Sequence, residues 1–313
     1  MDTLAGIRDR TKIAVLRVLS WARQRAIGPY STAVLARTEN GLLLTPAGDL
    51  MIGRRLCFAG RYDPELIDLL LRECTHDSHV LFVGAHVGAL VIPVAKKARR
   101  VVAIEANAAT FELLQTNVYL NGLRNVELHN CAAGNRDGEV SFLSNVLNSG
   151  GSGIALGEWE RWAYTYDAPR NERVQMKRLD DIFPNETFDL IVMDIEGAEV
   201  LALGAMPRLL SRSRMLLVEV FEDHLRRVAK VTNQEFLAPI SDFYDSARIL
   251  PEKPRARETI STKVYSNSAF PQMMQDCCRV RMANVMFWKN QAPDPPTQSP
   301  NRNFGQASEH VPA

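Results

Sequence analysis

Residues 189–199 read DLIVMDIEGAE, an apolar run that closes on Asp194 and is followed at once by Glu196, Gly197 and Glu199. Leu190, Ile191, Val192 and Met193 have the length and branching of a strand buried on both faces. Such a strand is typical of a parallel sheet, whose neighbouring strands are reached by crossovers, usually helical. Open sheets of that kind hold ligands at the carboxyl ends of their strands. The acids at that edge therefore have two readings. They form a ligand site, or Glu196 and Glu199 merely decorate the first turn of the next helix, where the dipole favours anions.

The rest of the chain alternates as that strand requires. With the opening strand taken as 188–193, further strands are predicted over residues 80–83, 101–105, 126–130, 138–143 and 215–220. Helices are predicted over 87–97, over 108–120 with Asn121-Gly122 as its C-terminal cap pair, and from the DIEGAE turn to about Leu210. Asp63-Pro64-Glu65 opens another helix with an Asp cap and Pro at its first position. Two closing strands, 243–250 and 284–288, bracket a polar insert at 251–282. The domain reading is an N-terminal extension over 1–60, a main domain over 61–290 and a tail over 291–313. The extension should hold a helix and short strands around 41–44 and 49–52. The Pro-rich tail should be disordered.

Composition narrows the function classes. The 313-residue chain is 46% hydrophobic, enough for a large core, and carries a net charge of only +1. That balance gives no electrostatic footprint for nucleic acid. Five cysteines without CxxC spacing argue for a reducing, cytoplasmic setting and against a zinc site. No apolar run approaches the roughly 18 residues needed to span a bilayer. The stretch TKIAVLRVLSWARQRA, broken by Arg17, Arg23 and Arg25, reads as an amphipathic helix lying on the protein or a partner. A membrane surface is the less favoured resting place.

Two turns carry further chemistry. Gly84-Ala85-His86-Val87-Gly88 follows the first strand of the alternation, where glycines permit close approach of a ligand or tight helix packing. Glu105 ends the next strand, placed to accept hydrogen bonds from both hydroxyls of a ribose. The third glycine of a pyrophosphate site is missing. Adenosine without a pyrophosphate fits better, which points to S-adenosyl-L-methionine.

VGAHVG, AIEANAATFELLQTNVYLNGLRNVELHNCAAGNRDGEVSF, the SGGSG stretch and MDIEGAEV follow one another in an order and spacing that resemble the FkbM-type methyltransferases. Arg61-Tyr62-Asp63-Pro64-Glu65 is similar to that family's lead-in. The resemblance covers roughly residues 40–220. It implies a class I methyltransferase (Rossmann-like) fold, with an open, mostly parallel sheet and an antiparallel closing strand. It also implies S-adenosyl-L-methionine as cofactor and O-methylation of a hydroxyl on a sugar, glycoside or polyketide-like small molecule. By the same resemblance Val83, Gly84, Ala85, His86 and Gly88 would bind the cofactor, with Gly84, Ala85 and Gly88 against its methionine part. Glu105 would hold the ribose, Ala106 and Asn107 would border the adenine, and Cys131 and Ala132 would cover its other side. Asp194 and Glu196 would sit near the transferable methyl group as the catalytic pair, Asp194 also touching the cofactor. The family's usual Asp and Asn are here Phe82 and His86, and Met193 replaces a Lys. A non-catalytic binding module on the same fold is the alternative, and a nicotinamide oxidoreductase a more distant one.

Other clusters add less. Cys74, His76, Asp77 and His79 precede the first strand of the alternation and read as a solvated loop. No metal site is assigned, although Asp194 and Glu196 holding a divalent cation is an alternative to their acting as base and orienting group. His224, after the 215–220 strand, is a candidate base or a surface residue. Trp159, Trp162, Tyr164 and Tyr166, beyond the glycine-rich 149–153, either cover the acceptor or pack as core.

Overall fold

The structure is a computed structural model that describes residues 2–157, 169–251, 263–280 and 282–290. The aromatic cluster at 159–166, part of the expected insert and the expected disordered tail lie outside the described residues.

A long helix, α1 (Asp2–Ile27), leads into a hairpin of β1 (Ala33–Thr38) and β2 (Gly41–Pro46). Helices α2 (Ile52–Ala59) and α3 (Pro64–Glu73) follow, the latter with the predicted Asp63 cap, whose side chain accepts from Leu66 N. The alternation then runs β3 (His79–Val83), α4 (Val91–Ala95), β4 (Arg100–Ile104), α5 (Ala108–Leu120) and β5 (Val126–His129). A second sheet is built from β6 (Ala132–Ala133), β7 (Gly138–Ser144), β8 (Gly153–Ile154) and β9 (Arg170–Lys177). After α6 (Leu179–Ile182) come β10 (Leu190–Met193), α7 (Glu199–Gly204), α8 (Pro207–Arg212) and β11 (Met215–Phe221). A π-helical segment at His224–Ala229, α9 (Asn233–Ser241), β12 (Ser246–Pro251), β13 (Tyr265–Ser266), α10 (Phe270–Val280) and β14 (Met282–Trp288) complete the chain.

The main sheet has eight strands in the order β13-β12-β14-β11-β10-β3-β4-β5. Strands β3, β4, β5, β10 and β11 are mutually parallel, while β14 runs antiparallel against β11 and β12. This is the expected α/β fold class, with the closing antiparallel strand in place. Its faces are apolar on both sides. Leu81, Val83, Val102 and Ile104 enter one core, and Val80, Phe82, Val101 and Ala103 enter the other. Strand order reverses between β3 and β10, so the crevice above their carboxyl ends is where a ligand would sit.

Several sequence expectations are corrected. The helix expected from residue 87 begins only at Val91, because His86 (φ 49°) and Gly88 (φ 88°) are left-handed and spend the intervening residues on a turn. The helix expected to reach Leu210 is two helices, interrupted before Pro207, which has no N–H to continue the ladder. Residues 49–52 are not a strand. The Asp49 carboxylate accepts from Met51 N at 2.7 Å and Gly53 N at 3.1 Å, turning the chain into α2. The polar insert contributes α10, whose Phe270, Met273, Met274 and Cys277 are buried.

The hairpin is tied to the main sheet by side chains. Asn117 of α5 accepts from Leu44 N at 2.6 Å and donates to Leu44 O at 3.0 Å. One turn later Asn121 does the same to Leu42, at 3.1 and 2.8 Å. Two helical amides thus satisfy backbone groups on the free edge of β2, as a neighbouring strand would. Asn117 also donates to Val87 O in the turn above β3.

Candidate active site

A cavity of about 310 Å³ opens at the carboxyl ends of β3, β4, β10 and β11. Of the residues singled out in the sequence, Val83, Gly84, Ala85, His86, Glu105, Ala106, Cys131, Ala132, Asp194 and Glu196 line it. Gly88 and Asn107 do not. Gly88 packs against α5, where an added Cβ would stand 2.8 Å from Leu114 Cδ1. Asn107 caps α5, its Oδ1 accepting from Thr110 N at 3.1 Å, while its amide donates to Ser144 Oγ. Both shape the turns around the cavity rather than its wall.

Glu105 is the acid at one end. It is buried, and its two oxygens accept from His86 N and Asn107 N, each at 2.8 Å. Desolvation outweighs those donors and raises its pKa to about 7. The Ala106 backbone N–H adds a third, weaker contribution that favours the charged form.

At the other end the DIEGAE turn divides its acids between two tasks. Glu199 is buried and turns back on its own backbone, accepting from Ile195 N at 3.0 Å and Gly197 N at 2.9 Å. It builds the turn. Asp194 is exposed to the cavity, and Glu196 lines it from a left-handed backbone (φ 57°). β10 pairs with β11 up to Met193↔Val218, so Asp194 and Glu219 come next, side by side on adjacent strands. Glu219 also lines the cavity.

His224 is not at the surface. It is buried, its ring packs edgewise on Phe221 with centroids 4.5 Å apart, and Nε2 stands 3.5 Å from Glu196 Oε2. Burial pulls its pKa down to about 4, leaving the imidazole neutral near neutral pH. Among the described residues, Glu196, Glu219 and His224 form a group whose potential ligand atoms lie within 4.8 Å of one another. Sequence reasoning singled out Glu196 and His224 and missed Glu219, which sits within the otherwise apolar MLLVEVF strand.

A third feature joins the turn after β3 to the N-terminal extension. His86 Nε2 lies 2.8 Å from Ser149 Oγ, which in turn donates to the buried Asp49 carboxylate. Asp49 receives donors on both oxygens, so the single Ser149 proton is committed to it. Ser149 then accepts from His86, which fixes the Nε2–H tautomer and leaves Nδ1 as a buried lone pair. Burial lowers the His86 pKa, against the opposing pull of Asp49, and favours that neutral ring. No part of this chain of contacts was read from the sequence.

Residues 83–253 match the profile of the methyltransferase FkbM domain. The chain belongs to the FkbM methyltransferase family. The strand order described above is consistent with that membership. Nothing among the curated proteins matches the chain. Among solved structures it is similar to the FkbM methyltransferase from Methylobacillus flagellatus KT, at 17% identity and a TM-score of 0.39. That likeness covers 68% of this chain and 44% of the other, so the chain spans less than half of that relative. It is also similar to an rRNA methylase from Streptococcus thermophilus, at 13% identity, coverages of 72% and 95%, and a TM-score of 0.42. A T. thermophilus 16S rRNA N2 G1207 methyltransferase, solved with AdoMet and guanosine, gives 14% identity, coverages of 82% and 50%, and a TM-score of 0.40. No helix among the described residues is long and apolar enough to cross a membrane.

Proposed function

We propose that this FkbM-family protein uses S-adenosyl-L-methionine to methylate a hydroxyl of a small molecule, such as a sugar, a glycoside or a polyketide-like metabolite. The carrying observation is the polarity of one cavity: a buried acid at Glu105, a narrow wall of Ala106, Cys131 and Ala132 beside it, and an acidic far end at Asp194 and Glu196. Its volume of about 310 Å³ falls at the lower end of small-molecule pockets, which run from roughly 300 to 1,000 Å³.

The residues present fit the cofactor. Glu105 is a carboxylate on the cavity wall that can accept from a ribose hydroxyl, and the small side chains next to it suit a flat base. Phe82 offers no charge to the cofactor's ammonium group, and His86 Nδ1 keeps a lone pair in the same turn. When bound, the cofactor supplies an electrophilic methyl group, so the chain's own task is to align the acceptor oxygen and take its proton. Asp194, exposed to the cavity, is the proton acceptor in this reading. Glu196 orients the acceptor. The near-zero net charge supports a small acceptor over a nucleic acid.

Calorimetry with S-adenosylhomocysteine tests the cofactor, and a screen of sugars and glycosides for methyl transfer tests the acceptor. Binding with turnover on a hydroxyl compound supports the reading. No binding of the homocysteine product by the folded chain would leave a binding module on the same fold.

A further inference from the structure

Three groups that the proposed transfer does not need together gather at the acceptor end of the cavity. Glu196 reaches in from the turn after β10 and Glu219 from β11, while His224, on the π-helical segment that follows, stands behind them. Their ligand atoms lie within 4.8 Å of one another. Two of the three are held from behind. Glu196 takes its left-handed backbone beside Gly197, whose own Cα packs so closely on Val228 that a Cβ there would stand 2.8 Å from Val228 Cγ1. His224 is clamped by the Phe221 ring. Two carboxylates gathered on one buried imidazole concentrate negative charge in a partly desolvated corner, which a doubly charged cation would balance.

We propose that Glu196, Glu219 and His224 form a binding site for one divalent transition-metal ion. One nitrogen and two carboxylate ligands suit the Mn²⁺ to Zn²⁺ series better than Ca²⁺ or Mg²⁺, which take oxygen ligands. Ligand atoms this close can converge on a common centre at metal–ligand distances of about 2.0–2.2 Å after small side-chain rotations. Three protein ligands leave coordination positions open, and two of the three side chains line the cavity. The open positions are therefore directed to the bound acceptor, and an acceptor presenting two adjacent oxygens would fill them. This last point rests on the proposed transfer to a hydroxyl, whereas the ion site itself does not.

The site places the ion on the β11 side of Asp194, away from Glu105 and the β3 turn. Metal binding and cofactor binding are thus separable measurements. Mn²⁺ titrated into the full chain should give a saturable loss of the free-ion paramagnetic resonance signal, with one ion per chain. The E196Q/E219Q double variant keeps the shape of both side chains and should weaken Mn²⁺ at least about tenfold, as should His224→Asn. S-adenosylhomocysteine affinity, measured on metal-stripped protein, should be little changed in Glu219→Gln. Absence of saturable Mn²⁺ and Zn²⁺ binding would overturn the proposal, and so would binding that survives unchanged in a folded double variant. Either result leaves the cofactor reading standing if the homocysteine product still binds. Failure of that product to bind, with Mn²⁺ still bound, would remove the cofactor reading and keep the ion site.

Discussion

Gly84 and Asp194 are adjacent across the β3–β10 boundary, so tightly that a Cβ on Gly84 would overlap the Asp194 carbonyl oxygen. Gly84 also has a φ of 90°, a conformation that side chains rarely adopt. Gly84→Ala should therefore destabilise the protein by about 3 kcal/mol or more, combining strain with forced separation of two central strands. Gly122 is the internal control. Its φ is also positive, at 66°, but an added Cβ meets nothing within 4 Å. Gly122→Ala should cost only about 1 kcal/mol. Urea denaturation of the two variants checks the difference.

Glu105 makes a pH-dependent prediction. Its folded pKa of about 7 lies above the ordinary 4.5, so between those values the folded chain keeps a proton that the unfolded chain has lost. Stability from this group is greatest below pH 4.5 and falls as pH rises through the window. Glu105→Gln removes that slope, so the stability difference between variant and parent should shift in the variant's favour with rising pH, by up to about 1.4 kcal/mol per pH unit. His224, with its pKa lowered to about 4, contributes the opposite slope between pH 4 and 6.5, and this cancels in the comparison. Denaturant midpoints at pH 5 and pH 7.5 provide the measurement.

Asp194→Asn tests the proposed role of Asp194 as proton acceptor. Methyl transfer should fall by about 10²- to 10⁴-fold, with S-adenosylhomocysteine affinity changed far less. A variant that turned over at the parental rate would remove Asp194 from that role.

Asn117→Ala should be among the more damaging polar-to-apolar changes in the chain. It strips partners from Leu44 N, Leu44 O and Val87 O at once, and Asn117 is wholly buried. A loss of about 2–5 kcal/mol is expected. Amide exchange at Leu44 should quicken in the folded variant.

How far the sequence announces these features depends on how local they are. β10 and its acid are visible because a run of four buried residues and the carboxylate that ends it are neighbours in the chain. The division of labour between Glu196 and Glu199 is not visible, since both suit a helix start equally well. The backbone of residues 195–197 decides it, curling so that Glu199 caps its own turn. Glu219 is hidden differently. It follows four buried residues of β11, and only pairing with β10 sets it beside Asp194. The shortened α4 follows from left-handed geometry at His86, a residue type that does not advertise it. The Asp49–Ser149 contact spans 100 positions and leaves no periodic trace.

The two asparagines of α5 impose an order on how the chain is made. Leu42 and Leu44 leave the ribosome 79 and 73 residues ahead of the side chains that cover their backbone. A two-stranded hairpin is marginal alone, and an uncovered edge invites pairing with other chains. Until α5 is synthesised and helical, the nascent β2 edge is exposed to neighbouring polypeptides. The interval is set by translation speed, at about 5–20 residues per second.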